Sequence, residues 1–264
     1  MKLVACTCNQ PQRLAAALAP LRAALVAEPP VTRWGLGYIQ GGDVLLVRTP
    51  RGSSAPVDLA GPLLANATDC AIAQAVHDER DAPLGGTDNT PPFRFRRWLY
   101  AQTDLPSSDA LVTGGAILAA IPEYLRRNIR GRSGVELMFH LFLAKLGETQ
   151  HLDDANLPLE VQRAALVAAL KLATAALPAG TPLGNIALTN GRSLVAARTG
   201  KEPLRLRKLS VGTEGEREER GVDAFRGFVL VSGALASTDG FEDIAAGHAV
   251  LISRDLRVTL APLT

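Results

Sequence analysis

The residues best able to do chemistry are a few thiols, imidazoles and guanidiniums. Cys6 and Cys8 stand near the start of the chain and, with Cys70, are its only cysteines. A deprotonated thiol is a nucleophile or a metal ligand. Both cysteines follow the apolar run Leu3-Val4-Ala5, however, and a small apolar cysteine inside a buried strand is ordinarily inert core. His77-Asp78-Glu79 has metal-ligand side chains, and His140, His151 and His248 stand elsewhere. Neighbouring side chains on a strand point to opposite faces, so such a triplet does not converge on one ion. Solvated loop charges are the expectation there, with no metal and no other cofactor. The stretch FRFRRWLY at 93–100 interleaves arginine with aromatics, as single-strand nucleic-acid platforms do. Buried rings alternating with solvated arginines on a core strand explain it better. Arg126, Arg127, Arg130 and Arg132 form a second basic patch, read as a solvated connector between helices.

The composition narrows the setting for these residues. With 264 residues, 47% of them hydrophobic, the chain can bury a sizeable core, and one domain over 1–264 is expected. A formal net charge of +2 creates no strong field, so neither nucleic acid nor an acidic membrane is expected as partner. Three cysteines make no paired disulfide framework, which favours a reducing compartment. No signal-like start and no apolar run of about 20 residues is present, so a cytoplasmic protein is expected.

The elements that would position a site follow from periodicity. A short strand opens the chain, with Lys2 at its exposed beginning. Apolar spacing over 14–26 predicts a helix interrupted near Pro20 and ended by Pro29-Pro30. WGLGYIQGGDVLLVR reads as a hairpin turning at Gly41-Gly42-Asp43, and 70–76 as a strand. A Gly- and Pro-rich loop over 77–92 leads to a further strand over 93–102, then to a mixed apolar helix ending near Tyr124. A helix over 134–146 with Gly147 at C′ and a second helix over 159–177 follow. Beyond 186 the pattern is β, with a two-residue turn at Asn190-Gly191 and strands near 204–209, 227–233, 249–253 and 258–260. The charge run from Glu214 to Arg220 is too polar to pack and reads as solvated loop. Strands, then helices, then strands favour an α+β layout over a doubly wound parallel sheet.

Six stretches, in this order, carry a family likeness. KLVACTCNQP is similar to an opening strand, RWGLGYIQGGDVLLVRTPR to an Asp-Gly-Trp-Gly hairpin, and DNTPPFRFRRWLYAQTD to Asn-x-His-Pro-Phe followed by a Phe-Ala-His-Asn-Gly strand. IRGRSGVELMFHLFL is similar to a helix opened by Thr-Asp-Ser-Glu, and IALTNGRSLVAAR with FVLVSGALASTDGFEDIAAGHAVLI to the closing hairpins. Together they resemble the class II glutamine amidotransferases of the N-terminal nucleophile hydrolase superfamily. The resemblance implies an α+β fold, a four-layer αββα sandwich of two antiparallel sheets.

It also implies which residues should work, and four of those roles are unfilled. The family's nucleophile is a cysteine after the initiator methionine, its free amine serving as base; here the position is Lys2. The His-x-Arg carboxylate clamp aligns with Gln74-Ala75-Val76, so the guanidinium gives way to Val76. The Asn-Gly oxyanion pair aligns with Thr103-Asp104, and the aspartate that receives the substrate ammonium aligns with Gly134. No catalytic residue is therefore expected. Trp34, Gly35, His77, Arg80, Asn89 and Gln102 would line a residual cleft. The expectation is a degenerate, non-catalytic interaction, scaffold or regulatory subunit whose partner is another protein or a second copy, with room for a small amino-acid-like ligand. The alternative is an active amidohydrolase using Cys6 or Cys8 after N-terminal trimming, although trimming would strip Leu3, Val4 and Ala5 from the core.

Overall fold

The structure is a computed structural model and describes residues 1–77, 85–103, 115–149, 152–181, 183–211 and 224–264. Its strands are β1 Lys2–Cys8, β2 Val26–Ala27, β3 Arg33–Gln40, β4 Asp43–Thr49, β5 Val57–Asp58, β6 Cys70–Val76, β7 Phe93–Phe95, β8 Trp98–Gln102, β9 Ile186–Thr189, β10 Leu194–Ala197, β11 Leu204–Leu209, β12 Gly227–Ser232, β13 Glu242–Asp243, β14 His248–Ile252 and β15 Val258–Pro262. The helices are α1 Leu14–Leu18, α2 Ala60–Leu64, α3 Ala116–Ala119, α4 Glu123–Arg126, α5 Gly134–Gly147 and α6 Leu159–Ala176, with 3-10 turns beside α1.

Two antiparallel sheets form the centre. One runs β13-β11-β12-β1-β6-β3-β4 and the other β15-β14-β10-β9-β8-β7. Strand alternation sorts the side chains into layers. Leu3, Ala5, Ile39 and Ile72 of the first sheet meet Leu99, Ala101, Ala187 and Leu194 of the second in a core between the sheets. Val4, Cys6 and Cys8 point the other way, against Leu14, Leu18, Leu25 and Leu63. On the far side, Trp98, Tyr100 and Leu188 pack under Phe139, Phe142, Leu166 and Ala173 of the two long helices. The order of layers is helix, sheet, sheet, helix: the α+β sandwich of two antiparallel sheets. Among the described residues no helix is long and apolar enough to cross a membrane.

Several local expectations are corrected. The segment 93–102 is a hairpin, Phe95 pairing with Trp98, because Arg96 takes a φ of 52° where no glycine marks a turn. The β9–β10 connection has four residues, since Thr189 pairs with Leu194. There Asn190 Oδ1 accepts from the Arg192 and Ser193 amides, at 2.9 and 3.1 Å, and builds an Asx-type turn. Gly147 is the last helical residue, not a C′ residue. The described part of the segment before residue 126 holds two short helices, separated where Pro122 adopts an extended ψ. The charge run at 214–220 lies outside the described residues.

Candidate functional site

β1 sits in the middle of its sheet, between β12 and β6, and its first residue pairs with Ala75. Lys2 was expected to be exposed, but it is only 6% exposed. It shares the outer face with Val4 and Cys6, and its Nζ donates to the Ala24 carbonyl at 2.9 Å and to the Ala234 carbonyl. The ammonium thus joins the start of β1 to the 3-10 segment before β2 and to the chain after β12. Burial lowers its pKa from 10.5 to about 8, with Glu28 pulling the other way. Beside it, Gly233 has a φ of 105°, and a Cβ there would lie 2.4 Å from the Met1 carbonyl oxygen.

On the inner face at the same end, polar groups from both sheets meet. Gln74 Nε2 donates to the Gln102 carbonyl at 2.8 Å and contacts Met1 Sδ at 3.6 Å, while Gln74 Oε1 is buried without a hydrogen-bond partner. Gln102 Nε2 donates to the Leu183 carbonyl, and its Oε1 accepts from Tyr100 Oη at 2.6 Å. The amide of Thr103 donates to the Asn185 carbonyl at 2.9 Å, and Thr103 Oγ1 accepts from the Asn185 amide at 2.8 Å. Asn185 itself donates through Nδ2 to Ser232 Oγ and the Glu202 carbonyl, both at 2.8 Å, and accepts from the Gly200 amide at 3.0 Å. Glutamine, threonine and asparagine here are 0–1% exposed, so apart from the lone Gln74 Oε1 the network is bonded core rather than open donor array. The amide at 103, where the resemblance implies an oxyanion donor, is already engaged.

The remaining expected residues divide between two places. Val76 is buried, and its carbonyl accepts from the Thr32 amide and hydroxyl at 2.8 and 3.0 Å. His77 Nδ1 lies 3.2 Å from the Met1 nitrogen. Gly35 faces inward with Gln74, and a Cβ on it would lie 2.4 Å from the Pro91 carbonyl oxygen. Trp34 points instead into the outer core with Val4 and Cys6. Asn89 braces the entry to α5: its Oδ1 accepts from the Arg132 amide at 2.6 Å, and its carbonyl accepts from Arg33 Nε at 3.0 Å. Ser133 caps that helix through the Val135 amide at 3.3 Å, and Gly134 follows as its buried first residue, with no side chain to meet an ammonium. Asp104 and Arg80 lie outside the described residues.

Glu136 and Asn185 carry much of this architecture without having been singled out. Glu136 is buried and accepts from the Arg130 and Gly131 amides at 3.1 and 2.7 Å; burial raises its pKa against those bonds. A glutamate three residues after Ser133 is a capping-box signal, though here it turns to the preceding loop. Asn185 carried only the weak signal of a polar residue directly ahead of an apolar strand.

The cysteines are sealed. Cys6 is 0% exposed, and burial raises its thiol pKa well above 9.0. Burial likewise pushes Cys8 and Cys70 up to about 12. Among the described residues no three His, Cys, Asp or Glu side chains gather as a metal site.

No family model and no curated protein matches the sequence. Solved structures do. The chain is similar to a glutamine aminotransferase class-II domain protein from Silicibacter pomeroyi, at 16% identity and a TM-score of 0.61 over 100% of both chains. It is similar to a predicted glutamine amidotransferase from Pseudomonas aeruginosa, at 13% identity and a TM-score of 0.56 over 98% of this chain and 99% of that one. It is also similar to the glutamine phosphoribosylpyrophosphate amidotransferase of B. subtilis, at 12% identity and a TM-score of 0.54, covering 100% of this chain but 49% of that one. This chain therefore spans about half the length of that amidotransferase. The layer order and these likenesses together establish that the chain has the fold of class II glutamine amidotransferase domains, an N-terminal nucleophile hydrolase-like sandwich.

Proposed function

We propose that this chain is a class II glutamine amidotransferase-like protein that does not hydrolyse glutamine and works as a non-catalytic interaction, scaffold or regulatory subunit. The observation that carries this reading is Lys2. The first residue of the central strand offers a buried ammonium held by two main-chain carbonyls where the glutamine amidotransferases it resembles carry a thiol.

Three further observations support it. Val76 supplies no guanidinium for a substrate carboxylate, Gly134 supplies no carboxylate for an ammonium, and the Thr103 amide is spent on Asn185. Use of Cys6 after trimming is disfavoured by the same geometry. Leu3, Val4 and Ala5 are each at most 1% exposed, and their loss would open the core on both faces of β1.

An electrophilic glutamine analogue, 6-diazo-5-oxonorleucine, tests the reading. Intact-mass measurement after incubation is expected to show an unmodified chain. A stoichiometric adduct mapped to any cysteine would overturn it.

A further inference from the structure

At the opposite end of the sandwich the strands leave a cavity of about 350 Å³, within the size range of small-molecule sites. The length of β1 puts it roughly 20 Å from Lys2, at about 3.3 Å per strand residue. Three arginines line it, Arg97, Arg192 and Arg254, against one carboxylate, Asp69. Arg97 spends only its Nε, on the Asn190 carbonyl at 3.1 Å, which fixes the plane of the guanidinium and leaves its terminal nitrogens uncommitted. The side chains of Arg192 and Arg254 make no hydrogen bond or ion pair among the described residues. Arg192 springs from the loop that Asn190 Oδ1 pins at two amides, so its base is held, while its head is free of hydrogen bonds and acts on Asp69 through charge alone.

Guanidiniums gathered in a concave site repel one another unless an anion sits among them, and their planar forks match phosphoryl and carboxylate oxygens two at a time. Thr7, from the inner face of β1, adds a hydroxyl to the lining. We propose that this cavity binds a small oxyanion-bearing molecule, its phosphoryl or carboxylate group gripped by Arg97, Arg192 and Arg254. The site shares no residue with the end at Lys2, so it stands whether or not the chain turns over glutamine.

Titration calorimetry on the whole chain tests this with two probes, inorganic pyrophosphate and succinate, at fixed ionic strength. Saturable one-site binding of pyrophosphate alone assigns a phosphoryl ligand; binding of succinate alone assigns a carboxylate; binding of both leaves the shared oxyanion chemistry standing. In each case Arg192→Gln and Arg254→Gln, whose heads make no hydrogen bond or ion pair among the described residues, are expected to weaken binding about tenfold or more while the melting temperature without ligand stays put. Failure of both probes to saturate, or affinity unchanged in both variants, would overturn the proposal.

Discussion

Gln74 Nε2 donates across the gap between the two sheets to the Gln102 carbonyl, at 2.8 Å, while its own Oε1 finds no partner. Of its two polar ends, one is bonded and the other is buried and unsatisfied. Replacing Gln74 by Met removes both together, and the gain from deleting a lone acceptor offsets the lost bond. The expected change in unfolding free energy is within about 1 kcal/mol of zero. Asn185→Ala should behave differently, because it strips partners from Ser232, the Glu202 carbonyl and the Gly200 amide at once. A loss of about 3 kcal/mol or more is expected. Urea unfolding of the two variants side by side checks the contrast.

Gly184 and Gly41 both have positive φ, 69° and 61°, but a Cβ on Gly184 would lie 1.4 Å from the Thr103 carbonyl oxygen, whereas Gly41 has open space. Gly41→Ala is expected to cost about 1 kcal/mol, the conformational penalty alone. Gly184→Ala should cost about 3 kcal/mol or more, since backbone on both sides must move. Equal melting temperatures for the two variants would contradict the packing described at Thr103.

Lys2 gives a pH signature. Its pKa is about 8 in the folded chain against 10.5 for the ordinary side chain, so between those values the unfolded chain binds more protons. Stability from this group therefore rises with pH across that window, by about 3 kcal/mol in all, and is flat below it. The buried thiols act oppositely, their raised pKa values removing stability above pH 9, so the comparison must be with Lys2→Met. The stability of the native chain relative to that variant is expected to grow from pH 7.5 to pH 10.

Much of this arrangement was legible along the chain, where causes are local. The run Cys70-Ala-Ile-Ala-Gln-Ala-Val is apolar but for Gln74, and β6 occupies those seven residues. Gly41 and Gly42 mark the β3–β4 turn because positive φ falls on glycine there. Lys2 was misread as exposed because its partners, Ala24 and Ala234, stand 22 and 232 positions away, and no periodicity reports a contact of that span. Arg96 turns a chain that has no glycine to announce it. The Asn185 network and the gathering of Arg97, Arg192 and Arg254 were hidden for the same reason: each depends on which strand ends the topology brings together.

The three thiols should be silent in the native state. Cys6, Cys8 and Cys70 are buried, and a pKa near 12 rather than 9.0 for Cys8 and Cys70 cuts the thiolate fraction about a thousandfold at neutral pH. A disulfide-exchange reagent is expected to react with none of them until denaturant is added, and then with all three. Rapid native labelling of Cys6 would reopen its candidacy as a nucleophile.

Ammonia release from glutamine by the purified chain probes the central claim most directly. With Lys2 at the head of β1 and the Thr103 amide engaged, release at the rate of the buffer blank is expected, unchanged by Cys6→Ala. Release above the blank that disappears in Cys6→Ala would contradict it.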